Sequence, residues 1–152
     1  MEEIYEKYSD TVFRTAFACV KHVAEAEDIT SEVFIKYFTS SKKFDNEVHE
    51  KAWLIRVTIN RCKDLFRSFS FKNRVSIEEY QPYCVIQDEI DVLEAVMKLP
   101  KKYRIPVHLF YFEGYTTEEI AKITKTNSQN IRTRLSRARA MLKKSLGEEL
   151  CI

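Results

Sequence analysis

Two glycines, Gly114 and Gly147, and three prolines, Pro82, Pro100 and Pro106, are all that the 152 residues contain. Strands that turn back on themselves draw on Gly, Pro, Asn and Asp, which supply a positive or a fixed φ. A chain so poor in Gly and Pro has little means of building a sandwich, a barrel or a glycine-rich phosphate loop. Helices need far less punctuation, so the expected class is all-α. Apolar residues at 45% and charged residues at 32% fit a globular chain rather than a disordered one. The length allows one medium domain or two small ones. No apolar run approaches the ~18 residues of a membrane span. Met1-Glu2-Glu3 leads into no apolar signal core. The expectation is a cytoplasmic chain without direct membrane insertion.

Enzyme chemistry finds little support in the residues. Cys19, Cys62, Cys84 and Cys151 form no C-x-x-C pair, so reduced thiols are expected and no structural metal. His22, His49 and His108 show no partner spacing and read as surface or packed side chains. Glu118-Glu119 needs no acid–base role, because capping a helix accounts for it. We therefore expect no catalytic residue, no cofactor and no small-molecule substrate.

Charge divides the chain. Residues 1–100 hold 14 Lys+Arg against 18 Asp+Glu, a net of −4, and residues 101–152 hold 11 against 5, a net of +6. From Ile120 to Gly147 there is no acidic residue, only Lys122, Lys125, Arg132, Arg134, Arg137, Arg139, Lys143 and Lys144 as charges. A basic stretch this long points to a polyanionic partner, against the plainer alternative of a solvated helix face.

The first module is expected over residues 1–69. Ile4, Tyr8, Val12, Ala16 and Val20 make an apolar ladder at about helical spacing. His22 and Val23 read as a turn, after which Glu25, Glu27 and Asp28 open a second helix carrying Ile29, Val33, Phe34, Tyr37 and Phe38. A polar loop, Thr39 to Asn46, contains one aromatic, Phe44. A third helix runs from near His49 to about Phe66, with Ala52, Ile55, Ile59, Cys62 and Phe66 on its core face. Its neighbouring stripe, Trp53, Arg56, Asn60, Lys63 and Arg67, joins an indole and an amide to three cations. Cations track phosphates, an indole stacks on a base, and an amide reads a base edge. A buried tryptophan anchor beside a solvated polar face is the competing reading of that stripe.

Residues 70–87 lack a sustained period and contain Pro82, so they read as a linker. The second module is expected over residues 88–152. Ile90, Leu93, Val96 or Met97, and Leu99 form a short helix ending at Pro100. A very apolar helix follows from Tyr103 to Phe112, with Pro106 near its first turn. Gly114 supplies a C-cap, and Thr116 with Glu119 fits a capping box. The short helix Thr117 to about Thr124 leads through Lys125-Thr126-Asn127 to a basic helix that Asn127 or Ser128 caps. Ile131, Leu135, Ala138 and Leu142 face its core. Ser128, Gln129, Arg132, Thr133, Ser136, Arg137 and Arg139 are left largely outside. Short helix, tight turn and basic second helix make the helix-turn-helix pattern.

Both modules resemble the extracytoplasmic-function (ECF, group IV) sigma factors of bacterial RNA polymerase. The resemblance covers nearly the whole chain and rests on segments in the correct order. These are Ala26-Glu27-Asp28-Ile29-Thr30-Ser31-Glu32-Val33-Phe34, and Trp53 to Arg61 with Asp64 and Arg67. In the second module they are Leu99 to Arg104, Glu113 to Ala121, and Ile131 to Arg139. It implies an all-α fold of two small helical domains, a three-helix region 2 domain and a helix-turn-helix region 4 domain. It also implies a chain that binds core RNA polymerase and directs promoter recognition and transcription initiation. Asp28, Glu32 and Phe34 would meet the beta-prime clamp coiled coil, and Leu109, Tyr111 and Phe112 the beta flap. Trp53, Arg56, Asn60, Lys63, Asp64 and Arg67 would meet the minus-ten element. Phe44 or the Ser40-Ser41 pair would line a pocket for a flipped base. Gln129, Asn130, Arg132, Thr133, Ser136 and Arg137 would read the minus-thirty-five major groove. An anti-sigma factor is a further partner the resemblance allows.

The chain departs from the family pattern where Gln129-Asn130 replaces Gly-Thr and Lys125 replaces a turn glycine. An arginine that is frequent near Phe110 is also missing. Two other readings compete. One is a helix-turn-helix regulator that acts without polymerase and binds two-fold symmetric sites. The other is a degenerate sigma-like protein that binds polymerase without reading promoters.

Overall fold

A computed structural model describes residues 1–68 and 87–147. Among them every regular element is a helix. The chain divides into two compact units, Met1–Glu79 and Tyr80–Ile152. The expected linker lies almost wholly outside the described residues, as do Cys84 and Cys151.

The first unit packs three helices against one another, α1 (Glu2–Val20), α2 (Val23–Thr39) and α3 (Glu47–Arg67). Its α1 ends where Lys21 turns left-handed at φ 57° and its N–H closes on Phe17. The expected two-residue turn is shorter by one on its far side: Val23 already lies in α2, and His22 is the N-cap. The His22 Nδ1 accepts the N–H of Glu25 at 3.3 Å. Likewise α3 begins at Glu47, two residues before the expected start, because Asn46 caps it by accepting from the His49 N–H at 3.0 Å.

Tyr8, Val12, Ala16 and Val20 of α1, Ile29 and Val33 of α2, and Ile55, Ile59 and Cys62 of α3 are buried, as their spacing predicts. The core face of α3 is wider than one stripe, since Leu54, Val57, Thr58 and Leu65 are also buried. A helix packed on two neighbours covers more than a single ladder. Each helix also buries a threonine, and each hydroxyl is satisfied within its own turn. Thr15 donates to the Thr11 carbonyl at 2.8 Å, Thr30 to Ala26 at 2.7 Å, and Thr58 to Leu54 at 2.7 Å. Without those acceptors each buried hydroxyl would cost about 1–3 kcal/mol.

The second unit contains α4 (Gln87–Lys98), α5 (Lys101–Val107), a π-helical turn (His108–Phe112), α6 (Thr117–Thr124) and α7 (Ser128–Leu146). In α4, Val96 rather than Met97 is the buried member of the pair. The helix expected from Tyr103 to Phe112 starts earlier and changes character midway. Pro100 stands at its N-cap and Pro106 in its second turn, not its first. Proline has no N–H to offer the carbonyl four residues back, and the helix widens into the π turn just after it. The Glu113 N–H then closes on His108, five residues back, and the Tyr115 N–H on Leu109. Gly114 completes this end at φ 76°, a conformation that favours glycine.

Arg104 is an unexpected core residue. It is 5% exposed, and its guanidinium donates to the Leu99 carbonyl at 2.7 Å. It thereby satisfies one of the orphan carbonyls at the end of α4. The helix-turn-helix forms as its sequence predicts. Thr116 and Glu119 exchange side-chain and backbone bonds, both at 3.2 Å. Lys125 turns left-handed at φ 57°, and Asn127 rather than Ser128 is the cap, accepting from Asn130 at 2.8 Å. Ile120, Ala121 and Ile123 of α6 meet Ile131, Leu135, Ala138 and Leu142 of α7 in the core.

Candidate functional site

The outward face of α2 carries two kinds of chemistry. Glu27 and Asp28 are exposed beside Ser31, and the same helix exposes Ile35 at 63% and Phe38 at 37%. An acidic patch running into apolar side chains suits a basic partner that also has apolar surface. Two of the expected contact residues on this helix are engaged within the protein itself. Phe34 is buried, 4.9 Å from the Tyr5 ring and 6.2 Å from Phe38, so it supports the face rather than forming it. Glu32 is exposed, but its carboxylate takes a two-pronged bond from Arg61 of α3, the second prong at 3.3 Å. That hydrogen bond raises the Arg61 guanidinium further above its ordinary value. Glu32 therefore ties α2 to α3.

On α3, Trp53, Arg56, Asn60 and Lys63 are half-buried and Arg67 is exposed, 3.7 Å from exposed Asp64. The stripe is neither a sealed core nor a fully solvated face. Phe44 folds back onto it from the loop before α3. Its ring lies parallel to Tyr37 at 6.0 Å and tilted 5.5 Å from Trp53, with Tyr37 and Trp53 6.0 Å apart edge to face. Lys42 of the same loop places its ammonium 5.9 Å from the indole. The structure thus gathers Phe44 and Trp53, two expected residues far apart in sequence, into one cluster. It adds Tyr37 and Lys42, which the sequence reading assigned no contact.

Glu50 is a further residue to which the sequence assigned no contact. One of its oxygens accepts from Tyr8 at 3.0 Å, and the other accepts from Tyr37. Burial, and then the bond to Glu50, push the Tyr37 phenol up to about 12. Tyr8 moves upward for the same two reasons.

In the second unit the first turn of α7 exposes Gln129 and Asn130, with Arg132, Ser136 and Arg137 exposed further along and Thr133 half-buried. Asn130 donates one of its two amide N–H groups to the Thr126 hydroxyl at 3.1 Å, which leaves the other N–H and the carbonyl oxygen for a partner. Arg132 donates to Ser128 at 3.1 Å and lies 3.7 Å from Glu118. Arg137 and Lys102 place their positive charges near the Tyr103 phenol. Burial alone would raise that phenol, but Arg137 and Lys102 outweigh it and leave it lowered. Arg139 departs from its expected outward placement: its Nε donates to the Tyr111 hydroxyl at 2.6 Å, and its guanidinium lies within 6 Å of the Phe110 and Tyr111 rings.

The apolar π turn also separates its expected contact residues. Phe112 is 50% exposed, Tyr111 is half-buried and engaged by Arg139, and Leu109 is fully buried. Leu109 belongs to the core, where a leucine contributes about 1.5–3 kcal/mol, and has no surface to offer a partner. Among the described residues no group of three His, Cys, Asp or Glu side chains could hold a metal, and no helix is long and apolar enough to cross a membrane.

Comparison with known proteins defines the class. The family described as sigma-70 region 2 matches residues 4–70, and that described as sigma-70, region 4 matches residues 89–142. The RNA polymerase sigma factor SigV of Bacillus subtilis is 31% identical over 142 residues, spanning 90% of this chain and 85% of SigV. The ECF RNA polymerase sigma factor SigE of Mycolicibacterium smegmatis is 28% identical over 159 residues, spanning 97% of this chain but 62% of SigE. The fold matches the sigma factor RpoE in its co-crystal with the anti-sigma factor NepR from Bartonella quintana. That match has a TM-score of 0.81 at 21% identity and covers 98% of each chain. The chain belongs to the ECF sigma factors of the sigma-70 family.

Proposed function

We propose that this chain binds core RNA polymerase in the bacterial cytoplasm and directs it to a specific set of promoters, with no catalysis of its own. The observation that carries the reading is the presence of both sigma-70 modules in order, each with an exposed face of matching chemistry. Asp28, with Glu27, Ile35 and Phe38 around it, forms the surface for the beta-prime clamp coiled coil. Phe112, with the edge of Tyr111, meets the beta flap. Trp53, Phe44, Arg56, Asn60, Lys63 and Arg67 engage the minus-ten element, with Asp64 holding Arg67. Gln129, Asn130, Arg132, Thr133, Ser136 and Arg137 enter the minus-thirty-five major groove.

The departure at Gln129-Asn130 predicts a preference. Asn and Gln pair best with adenine, whose major-groove edge offers N6–H2 and N7. With one amide N–H held by Thr126, Asn130 keeps an acceptor and a second N–H, the pair that adenine N6–H2 and N7 take. Gln129 keeps both groups in solvent and suits adenine.

The test is selection from a random duplex pool by core polymerase with and without the chain. Enrichment of two spaced elements only when both are present is the expected result, with loss of the upstream element for Arg132→Glu/Arg137→Glu. Two-fold symmetric sites selected by the free chain would replace this reading with a polymerase-independent regulator. Core binding without any enrichment would replace it with a sigma-like protein that does not read promoters.

A further inference from the structure

The three-ring cluster of the first unit has a support that no motif marks. Phe44 sits between helices, in the stretch after Thr39 and before Glu47, so no helix fixes its ring. Its position rests on the rings it touches, Tyr37 beneath it at an interplanar angle of 5° and Trp53 beside it. Tyr37 in turn lies in the last turn of α2, where helices fray. What holds Tyr37 is its hydroxyl on one Glu50 oxygen, and what holds Glu50 is its place in the first turn of α3; its second oxygen accepts separately from Tyr8. A carboxylate in a first turn is favoured by the positive end of the helix dipole. One carboxylate therefore links all three helices and aims one aromatic ring.

We propose that Tyr37 is a positioning residue for an unpaired promoter base: its hydroxyl, fixed on Glu50, holds Phe44 and Trp53 as a stacking platform with Lys42 at its edge. This rests on the promoter-binding reading above. An unpaired nucleotide needs a π-face for its base and a cation for its phosphate. The cluster supplies three half-buried rings and the exposed ammonium of Lys42 within 5.9 Å of the indole. Prior assembly of the rings removes the cost of ordering them when the base arrives. Tyr8 uses the same carboxylate but reaches it from α1 and touches none of the platform rings through a bond that aims them. Loss of either phenol hydroxyl thus removes one hydrogen bond to Glu50, while only the Tyr37 hydroxyl aims the platform.

That asymmetry is the test. Single-stranded oligonucleotides are selected from a random pool by holoenzyme assembled from the full chain and bacterial core polymerase, with core alone as the reference. The selected strand is then titrated against holoenzymes carrying Tyr37→Phe or Tyr8→Phe. We expect about tenfold weaker binding for Tyr37→Phe, the scale of one poorly stacked base, and less than twofold change for Tyr8→Phe. Trp53 is the single tryptophan, so acrylamide quenching of the free chain reads the platform directly. It should rise for Tyr37→Phe and stay unchanged for Tyr8→Phe, with helical circular dichroism unchanged in both. Equal effects of the two variants, or none, would overturn the proposal and leave the sigma reading standing. If wild-type holoenzyme enriches no strand over core alone while still binding core, the promoter reading fails and the proposal falls with it.

Discussion

The two units solve the same problem, holding polar side chains on a surface, by bonds of different reach. In the first, the organising bonds join residues far apart in sequence: Glu50 to Tyr8 and Tyr37, and Glu32 to Arg61. Both units cap their helices locally, but in the second the bonds that set the helix-turn-helix itself join residues three apart, Thr116 with Glu119 and Asn127 with Asn130, with Arg139 on Tyr111 as a longer tie behind it. Caps order a helix start locally, whatever the rest of the domain does. Long-range side-chain bonds exist only once three helices have met, so the surface they support is as cooperative as the fold itself.

The largest effect should come from a residue that looked like surface. Leu109→Ala should destabilise the second unit by about 2–5 kcal/mol in chemical denaturation. Phe112→Ala, at half exposure, should stay within about 0.5 kcal/mol. Equal losses would mean that the π turn buries both side chains alike.

Next in size is the contrast between the two kinds of bond. Glu50→Leu removes the acceptor of two phenols and leaves the Tyr8 hydroxyl buried without it, at a cost of about 1–3 kcal/mol. Thr116→Ala should cost about 1 kcal/mol. The comparison predicts that hydrogen exchange slows less across all three helices in the first variant, but only around the start of α6 in the second. Protection lost across the whole second unit in Thr116→Ala would erase the distinction.

A smaller effect of opposite sign is expected at Lys125. A non-glycine residue at φ 57° bears about 1–2 kcal/mol of left-handed strain, of which a glycine returns roughly 0.5–1 kcal/mol as unfolded-chain entropy. Lys125→Gly should therefore raise the melting temperature slightly, and a lower one would show that the lysine side chain contributes more than its backbone costs.

The smallest effect is a matter of pH. The Tyr37 phenol is raised from 10.0 to about 12 in the folded unit, so folding favours its neutral form. That contribution is complete below about pH 10 and is lost as pH rises through about 12. Alkaline unfolding should therefore be shallower in Tyr37→Phe than in the wild type. Identical alkaline profiles would mean that the Glu50 bond does not hold the phenol protonated.

The same difference in reach decides what the sequence reveals. Scarce Gly and Pro pointed to helices, and the apolar ladders placed most of the core. The capping box at Thr116, the cap at Asn127 and the glycine stop at Gly114 were legible because their partners lie within a turn. Glu50 was not, since nothing near it in sequence says that Tyr8 and Tyr37 converge there. Arg139 read as an outward cation for the same reason, Glu32 and Tyr111 as contact residues, and Arg61 had no role assigned to it. Leu109 and Phe34 sit in runs so apolar that periodicity does not say which side chains face inward. The π turn after Pro106 escaped because its five-residue closure differs from the period by which helices are read.

The most direct measurement is capture of bacterial core RNA polymerase by the purified chain, compared with Asp28→Arg. Asp28 is exposed, whereas reversal at Glu32 would also strand Arg61 and confuse lost binding with lost folding. The account predicts that the wild type retains core enzyme, and that Asp28→Arg folds normally and retains much less. A wild-type chain that fails to capture core enzyme, or an Asp28→Arg variant that captures it equally well, would contradict the account.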